Sequence, residues 1–148
     1  MREDGDGRDA QFDHINARVL EFQAADQPVI SVDTKKKELI GNVKNAGRVW
    51  GQSPTLVNTH DFLSEAVGRA TPYGIYDLTH QQGAVFVGIS YDTPEFAAYA
   101  IAKWWADPDR PRFVHEDKLL ILCDSGGSNN CRYWRWKIEV QKQLADTF

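Results

Sequence analysis

The fold is decided by two apolar runs that each end at an aspartate, PVISVD at residues 28–33 and KLLILCD at residues 118–124. Their short length and their β-branched and leucine-rich composition are typical of buried central strands. If these strands are neighbours in one sheet, their carboxyl ends meet at the edge where open α/β sheets hold ligands. The sequence therefore predicts that Asp33 and Asp124 face each other.

Between the two runs, the chain predicts a strand hairpin and a helix. Residues 73–78 and 84–90 are strand-like runs joined by a glycine-containing turn, so they are expected to pair antiparallel. Asp92-Thr-Pro-Glu is typical of a helix start, and Asp107-Pro108 of a helix end. A crossover helix of this kind connects parallel strands. The order predicts an α/β fold with a mixed sheet and flanking helices.

The domain boundaries follow from polar and glycine-containing segments. Residues 1–8 are expected to be a flexible tail, and residues 9–148 a single domain. Apolar spacing predicts that this domain begins with a helix from Asp9 to about Ala25 and ends with a helix from Asn130 to Ala145. Residues 34–72 are too long for a structureless loop, so they are predicted to be an insertion with short strands or turns of its own.

Composition excludes several classes of protein. The chain has 148 residues, of which 42% are hydrophobic and 26% charged, and this balance argues against disorder and coiled coil. No apolar run is long enough to span a bilayer, and the N-terminus has no apolar signal core, so a cytoplasmic protein without a membrane partner is expected. Cys123 and Cys131 have neither a zinc-site spacing nor the density of a disulfide scaffold.

A short basic segment interrupts an otherwise acidic chain. The net charge is −4, yet residues 34–50 carry five basic side chains and one acidic one. Segments of this kind contact phosphates and supply sequence-independent affinity for DNA, although a solvated lysine run has the same composition. The candidate DNA-binding residues are Lys35, Lys36, Lys37, Lys44 and Arg48.

Two facing carboxylates predict a metal site. Asp33 and Asp124 repel each other when both are ionised unless a cation lies between them, and hard cations such as Mg²⁺ prefer carboxylate oxygen. The alternative is that both aspartates are turn residues that end their strands.

Two further groups of residues have a structural and a functional interpretation. The loop at residues 125–129, SGGSN, either aims backbone N–H groups at an anion or is an ordinary turn from a strand to a helix. Four tryptophans could stack on DNA bases. Aromatic residues on helices beside a sheet are usually core residues, so these tryptophans are expected in the core. These tryptophans are Trp104, Trp105, Trp134 and Trp136.

The motifs VDTKKKELIGN and CDSGGSN, with PYGIYDL and GAVFVGISYDTPEFA between them, closely resemble the catalytic domain of Rhodopirellula-type DDE transposases of bacterial insertion sequences. This resemblance implies a ribonuclease H-like fold in which Asp33 and Asp124 match the first and second acidic residues of the metal-binding triad. It also implies DNA strand cleavage and transfer with two Mg²⁺ or Mn²⁺ ions, and DNA as the partner.

The third acidic residue of the family, a glutamate on a later helix, has no match before Phe148. The domain is therefore expected to be incomplete at its C-terminus, to bind metal weakly and to be inactive by itself. Glu139 is the only glutamate after Asp124, but it lies on the helix directly following that residue, which is the wrong element.

Two other functions are compatible with parts of the pattern. A truncated, non-catalytic product would bind DNA, associate with itself or pair with intact transposase through an unpaired sheet edge. The loops DTKK and DSGGSN are also similar to the phosphate loops of actin-like ATPases, although the chain is short for a two-domain nucleotide clamp.

Overall fold

The computed structural model of the protein describes residues 4–42, 50–54, 56–57, 66–89 and 91–148. A long helix precedes the first strand, and a second helix separates the last two strands. The helices are α1 (Asp4–Ala24), α2 (Pro94–Ala106) and α3 (Trp134–Val140), which continues as a π-helical turn at Gln141–Ala145. The strands are β1 (Val29–Thr34), β2 (Glu38–Ile40), β3 (Gly68–Asp77), β4 (Gln82–Gly88) and β5 (Leu120–Leu122).

The strand β1 lies inside a mixed sheet. It pairs antiparallel with β3 on one side and parallel with β5 on the other. On its second edge β3 pairs antiparallel with β4, which confirms the predicted hairpin. The mixed α/β architecture expected from the order of the elements is therefore confirmed, with α2 as the crossover to the parallel strand.

The short strand β2 continues the line of β1 along β3. Thr34 opposes Tyr73 and Glu38 opposes Ala70, so three residues on this side face only two on β3. An extra residue of this kind is a β-bulge, which bends the strand. The backbone N–H of Lys35 still donates to the carbonyl of Pro72, at 2.9 Å. The three consecutive lysines therefore lie in the bulge, one step beyond the end of β1.

The two faces of the sheet differ in burial. One face packs against α2 and α3, and its core consists of strand and helix side chains in contact, namely Ile30, Val32, Tyr73, Ile75, Ala97, Ala100, Ile101, Trp104, Trp136 and Leu144. On the opposite face Ser31, Asp33 and Tyr76 are exposed, as are Val85 and Val87. We call this second side the open face. The alternation of β1 thus places Thr34 toward the helices and Asp33 away from them.

The helix α2 starts and packs as its sequence predicts. Thr93 is the N-cap, and its hydroxyl accepts the backbone N–H of Phe96 at 3.3 Å, while Pro94 occupies the first turn. Small side chains along the buried side let the helix approach the sheet. In β4, Gly88 leaves the room that the Phe96 ring occupies, because a Cβ there would lie 2.9 Å from the ring. The predicted end of the helix at Asp107 is confirmed.

Several predicted boundaries shift. The helix α1 begins at Asp4, five residues before the predicted start, because a turn without apolar residues carries no periodic signal. Strand β3 begins at Gly68 rather than Tyr73, since its first residues pair with β2. The last helix begins at Trp134 rather than Asn130. Within the described ranges, no helix combines the length and the apolar character needed to cross a membrane.

The prediction that the tryptophans are core residues is correct for two of the four. Trp104 and Trp136 are buried, and Trp105 is half-buried. The prediction is wrong for Trp134, which is 77% exposed at the first position of α3. The Lys137 ammonium lies 5.4 Å from its ring centroid. A residue at the first turn of a helix has few neighbours, so helical periodicity alone does not decide its burial.

The segment that follows α2 is held by a buried arginine. The guanidinium of Arg110 donates to both carboxylate oxygens of Glu116, at 2.9 and 3.1 Å, and to the carbonyl of Trp105 at 2.8 Å. It also lies 4.5 Å from the Trp105 ring centroid. Burial opposes ionisation of Glu116, but the bonds from Arg110 and from the Phe113 N–H hold its pKa below the usual range.

We predict that Glu116→Gln lowers the stability of the folded chain at neutral pH by about 1–3 kcal/mol, because the buried Arg110 guanidinium loses its charged, partly buried partner. A folded-state pKa below the unfolded value stabilises the fold above the unfolded pKa, and this contribution disappears on acidification. The free energies of unfolding in urea should therefore differ between the unaltered chain and the variant at pH 7 and become equal near pH 3. An equal difference at both values would contradict this account of the ion pair.

Candidate functional site

The parallel register of β1 and β5 brings the two aspartates together. Val29 pairs with Leu120, and Ser31 pairs with Leu122. Extending this register by two residues sets Asp33 beside Asp124. The predicted neighbourhood of the two strands is thus confirmed, and both aspartates are exposed at the carboxyl ends of their strands. A site at this edge is accessible to a large substrate.

Asp33 lies on the open face. Ile121 and Cys123 pack against the core under the helices, so the alternation of β5, continued past its end, indicates the open face for the exposed Asp124. Asp33 opposes Gly74 of β3, and Gly74 opposes Val85 of β4. Because glycine has no side chain, the space beside the Asp33 carboxylate on the β3 side is left free.

The donor set suits a hard divalent cation. Carboxylate oxygens at neighbouring strand ends are the ligands that Mg²⁺ and Mn²⁺ prefer, and a shared cation removes their mutual repulsion. One oxygen of Asp124, Oδ1, also accepts the backbone N–H of Gly126 at 3.2 Å, which holds that carboxylate toward the loop. In the described part of the chain, no group of three histidine, cysteine, aspartate or glutamate side chains converges as a metal site.

The loop at residues 125–129 is bonded to the sheet below it. Ser128 and Asn129 are buried, and they form a 3-10 turn with Gly127, whose φ of 53° favours glycine. The Ser128 hydroxyl lies 3.3 Å from the hydroxyl of Thr34, and the Asn129 carbonyl oxygen Oδ1 accepts the Tyr73 hydroxyl at 2.8 Å. Of the two interpretations of this loop, its side chains thus support a structural turn.

Tyr73 is a buried, neutral hydrogen-bond donor. Burial raises its pKa, and the thiol of Cys123 and the charges of Asp92 and Asp33 raise it further, outweighing the bond to Asn129. The phenol keeps its proton at all physiological pH values and donates it to Asn129. Its ring also packs edge-on against Phe96, with centroids 6.1 Å apart.

Asp92 lies nearer to the site than its position before α2 suggests. Its Oδ1 accepts the Thr34 hydroxyl at 3.2 Å, while Thr93 and not Asp92 caps the helix. Its Oδ2 is 3.1 Å from where a Cβ of Gly127 would stand. Sequence reasoning missed Thr34, Tyr73 and Asp92 as neighbours of the site. A signal was present in the sequence for two of them, because Thr34 ends a strand and Asp92 precedes a helix.

The structure describes three of the five candidate DNA-binding residues. Lys35 pairs with Glu38, and the Lys37 ammonium lies 5.3 Å from the ring centroid of Tyr91. Lys36 is exposed beside them. Lys44 and Arg48 lie outside the described residues. The lysine run therefore begins two residues after Asp33, with its charged ends at the surface.

Glu139 does not join the aspartates. It is buried on α3, where Arg135 and the side-chain amide of Gln143 contact its carboxylate at 3.1 and 2.8 Å. Because α3 packs on the face of the sheet opposite Asp33, this carboxylate is on the wrong side for a shared ion. These surroundings agree with the expectation that Glu139 is not a ligand of the ion.

Comparison with known protein families decides the class. The model of the family described as the Rhodopirellula transposase DDE domain matches residues 2–148. The chain belongs to this family. The resemblance predicted from VDTKKKELIGN and CDSGGSN is thereby confirmed. No curated protein and no solved structure matches the chain.

Family membership gives broad functional statements. A transposase acts on DNA, so DNA is the partner, and DDE transposases generally use a divalent metal ion. A cavity of about 530 Å³ beside β5 and the C-terminal turn is lined by neither Asp33 nor Asp124.

We predict that Tyr73→Phe lowers stability by about 1–3 kcal/mol, because Oδ1 of the buried Asn129 is left without its donor. Tyr76→Phe is the matched control, since Tyr76 is on the same strand and is 45% exposed. Chemical unfolding monitored by circular dichroism measures both. Equal stabilities of the two variants would show that the Tyr73 hydroxyl does not anchor the loop.

Proposed function

We propose that the chain is the metal-dependent catalytic part of a DNA transposase, with Asp33 and Asp124 as its metal ligands. The observation that supports this proposal is the parallel register of β1 and β5, which sets Asp33 beside Asp124 when it is extended by two residues. Within the DDE family such residues are the expected first and second acids. Two aspartates that merely end their strands need not lie on the same face of the sheet or at matching positions of neighbouring strands. Their arrangement therefore favours metal ligands over turn residues.

The sheet also supports a ribonuclease H-like fold. An inner first strand, an antiparallel hairpin on one side and a parallel strand after a crossover helix are the features that this fold requires. The same features explain why the site is at the carboxyl ends of β1 and β5. In a mixed sheet, only the strands that run in the same direction end at the same edge.

The chemistry follows from what the two carboxylates can hold. Bound Mg²⁺ or Mn²⁺ supplies a more acidic water or 3′ hydroxyl and stabilises the leaving oxygen of a phosphodiester. Asp33 would be one ligand of the bound metal, and Gly74 leaves space beside it on the inner strand. Asp124 would be the other ligand, and the Gly126 N–H orients its carboxylate.

Metal binding by these two residues is expected to be weak. Two carboxylates leave most of an octahedral shell to water, and Mg²⁺ gives up water reluctantly. Substrate phosphates normally complete such a shell. The domain is therefore expected to hold the ion firmly only together with DNA, and Mn²⁺, which is less strictly hydrated, is the better probe for the chain by itself.

We assign the lysine bulge to the DNA backbone. Lys35, Lys36 and Lys37 begin two residues after Asp33, so a DNA strand whose phosphate reaches Asp33 passes beside them. The bond to Glu38 and the contact with the Tyr91 ring are exposed surface interactions, which a phosphate can replace at small cost. Lys44 and Arg48 complete the proposed set.

We predict that Mn²⁺ binds the purified chain weakly and that Asp33→Asn or Asp124→Asn abolishes this binding. The reason is that each substitution removes one of two charged ligands. Titration followed by the electron paramagnetic resonance signal of free Mn²⁺ measures the effect. Asp13→Asn, which removes an exposed carboxylate from α1, should bind Mn²⁺ like the unaltered chain.

Binding that survives the double substitution of Asp33 and Asp124 would contradict the metal assignment. A chain that binds DNA but shows no aspartate-dependent Mn²⁺ binding would instead be the non-catalytic product. The two outcomes are distinguishable because DNA affinity and metal affinity are measured separately.

We predict that DNA binding is non-specific and steeply dependent on salt. Each phosphate contact adds about 0.9 to the slope of log affinity against log salt concentration, so five contacts give a slope of about −4 to −5. Replacing Lys35, Lys36 and Lys37 by alanine should flatten this slope by about 2–3. Fluorescence anisotropy with a labelled duplex at several salt concentrations measures the slope.

The matched control removes the same charge elsewhere. Alanine at Lys103, Lys118 and Lys142 changes the net charge equally but leaves the bulge intact. The control slope should stay near that of the unaltered chain. If both triple variants flatten the slope alike, overall charge rather than the bulge governs binding.

A further inference from the structure

We propose that Thr34, Tyr73, Asp92, Ser128 and Asn129 form a positioning network that fixes the Asp124 loop against the strand carrying Asp33. This inference rests on the proposed function of the two aspartates. None of the five residues is proposed to touch the metal or the DNA. Their role is to set the separation of the two ligands from the buried side of the sheet.

The hydroxyl groups form a directed chain. Thr34 has one hydroxyl hydrogen, and the 3.2 Å contact with Oδ1 of Asp92 takes it. The 3.3 Å contact between Thr34 and Ser128 must then use the hydrogen of Ser128. The chain runs from Ser128 through Thr34 to an acidic acceptor, and bonds in such a series strengthen one another. It therefore joins the loop, β1 and the start of α2.

A second bond lies directly beside the first. Tyr73 is the partner of Thr34 in the β1–β3 register, and its hydroxyl donates to Asn129, the residue after Ser128. One cross-strand pair thus holds two consecutive loop residues. The Cys123 thiol adds a contact of 3.7 Å to the Asn129 backbone carbonyl. Two adjacent attachments fix both the position and the rotation of the loop, which a single bond cannot do.

The site needs such a constraint because its own forces act against it. The two carboxylates are on the open face and repel each other, and β5 ends at Leu122, so the backbone ladder does not extend to Asp124. The segment after Asp124 contains Gly126 and Gly127, whose backbones have more conformational freedom than those of other residues. Without attachments from below, the loop would relax away from Asp33. Ligand positions must hold within about 0.5 Å to keep a metal site functional.

Asp92 also limits what can occupy the loop. A Cβ at position 127 would lie 3.1 Å from Oδ2 of Asp92, and the φ of Gly127 already favours glycine. The Asp92 carboxylate therefore accepts the Thr34 hydroxyl and also lies close to the turn after Asp124. This arrangement explains why an acidic side chain stands before α2 although the helix takes its cap from Thr93.

The test compares Thr34→Val with Thr34→Ser. Valine keeps the shape of the side chain and removes the hydroxyl, whereas serine retains the hydroxyl. We expect Mn²⁺ affinity to fall about 10-fold in the valine variant, as is typical of residues that orient metal ligands, and to recover in the serine variant. Amide hydrogen exchange of residues 125–129 in the metal-free chain should accelerate with valine and return with serine.

Two controls separate positioning from general destabilisation. Glu116→Gln weakens the remote ion pair with Arg110, and Thr147→Val removes the hydroxyl that donates to the Lys142 carbonyl at 2.8 Å near the C-terminus. Both should leave Mn²⁺ affinity and loop exchange unchanged. A fall in affinity in the controls equal to that in Thr34→Val would overturn the inference.

The outcomes also distinguish this inference from the proposed function. Mn²⁺ binding that is lost in Asp33→Asn but unchanged in Thr34→Val keeps the metal site and overturns the network. Mn²⁺ binding that ignores Asp33→Asn overturns the metal site and, with it, the positioning role. Weaker binding in both variants, with recovery in Thr34→Ser, supports the two together.

Discussion

The parallel pairing of β1 with β5 is the contact on which the rest of the arrangement depends. It joins segments that are far apart in sequence, and it requires α2 to cross over the sheet so that both strands run in the same direction. Burial of Val29 and Ile30 on β1 stabilises this pairing. Because the register is set by these apolar residues, it carries Asp33 and Asp124 to the same edge of the sheet without any attraction between them.

The alternation of side chains along β1 gives the two faces of the sheet different roles. The face under α2 and α3 holds the apolar core and, at its edge, the hydrogen bonds from Thr34 and Tyr73 to the loop. The open face holds the two carboxylates. A strand one residue out of register would exchange these roles, placing Asp33 in the core and Thr34 at the surface. Correct register is therefore a condition for both stability and the proposed metal site.

Charge and backbone shape meet at the same edge. The bulge after β1 presents three lysines directly beyond Asp33, so a segment of positive charge adjoins a pair of negative charges in an acidic chain. The lysines attract phosphates, and a divalent cation would neutralise the two carboxylates. The chain belongs to a transposase family, whose partner is DNA. In the proposed function, the lysines hold the DNA backbone beside the two carboxylates.

The sequence by itself determined the class of fold, the strand-ending aspartates, the hairpin, the boundaries of α2 and the family, because these depend on local composition and on specific motifs. The bulge, the surroundings of Asp92, the exposure of Trp134 and the bonds from Thr34 and Tyr73 to the loop were decided only by the tertiary structure. Each of these features joins residues that are distant in the chain, or depends on what covers a side chain. Local patterns carry no information on such distances, since the register of the sheet and the packing of helices set them.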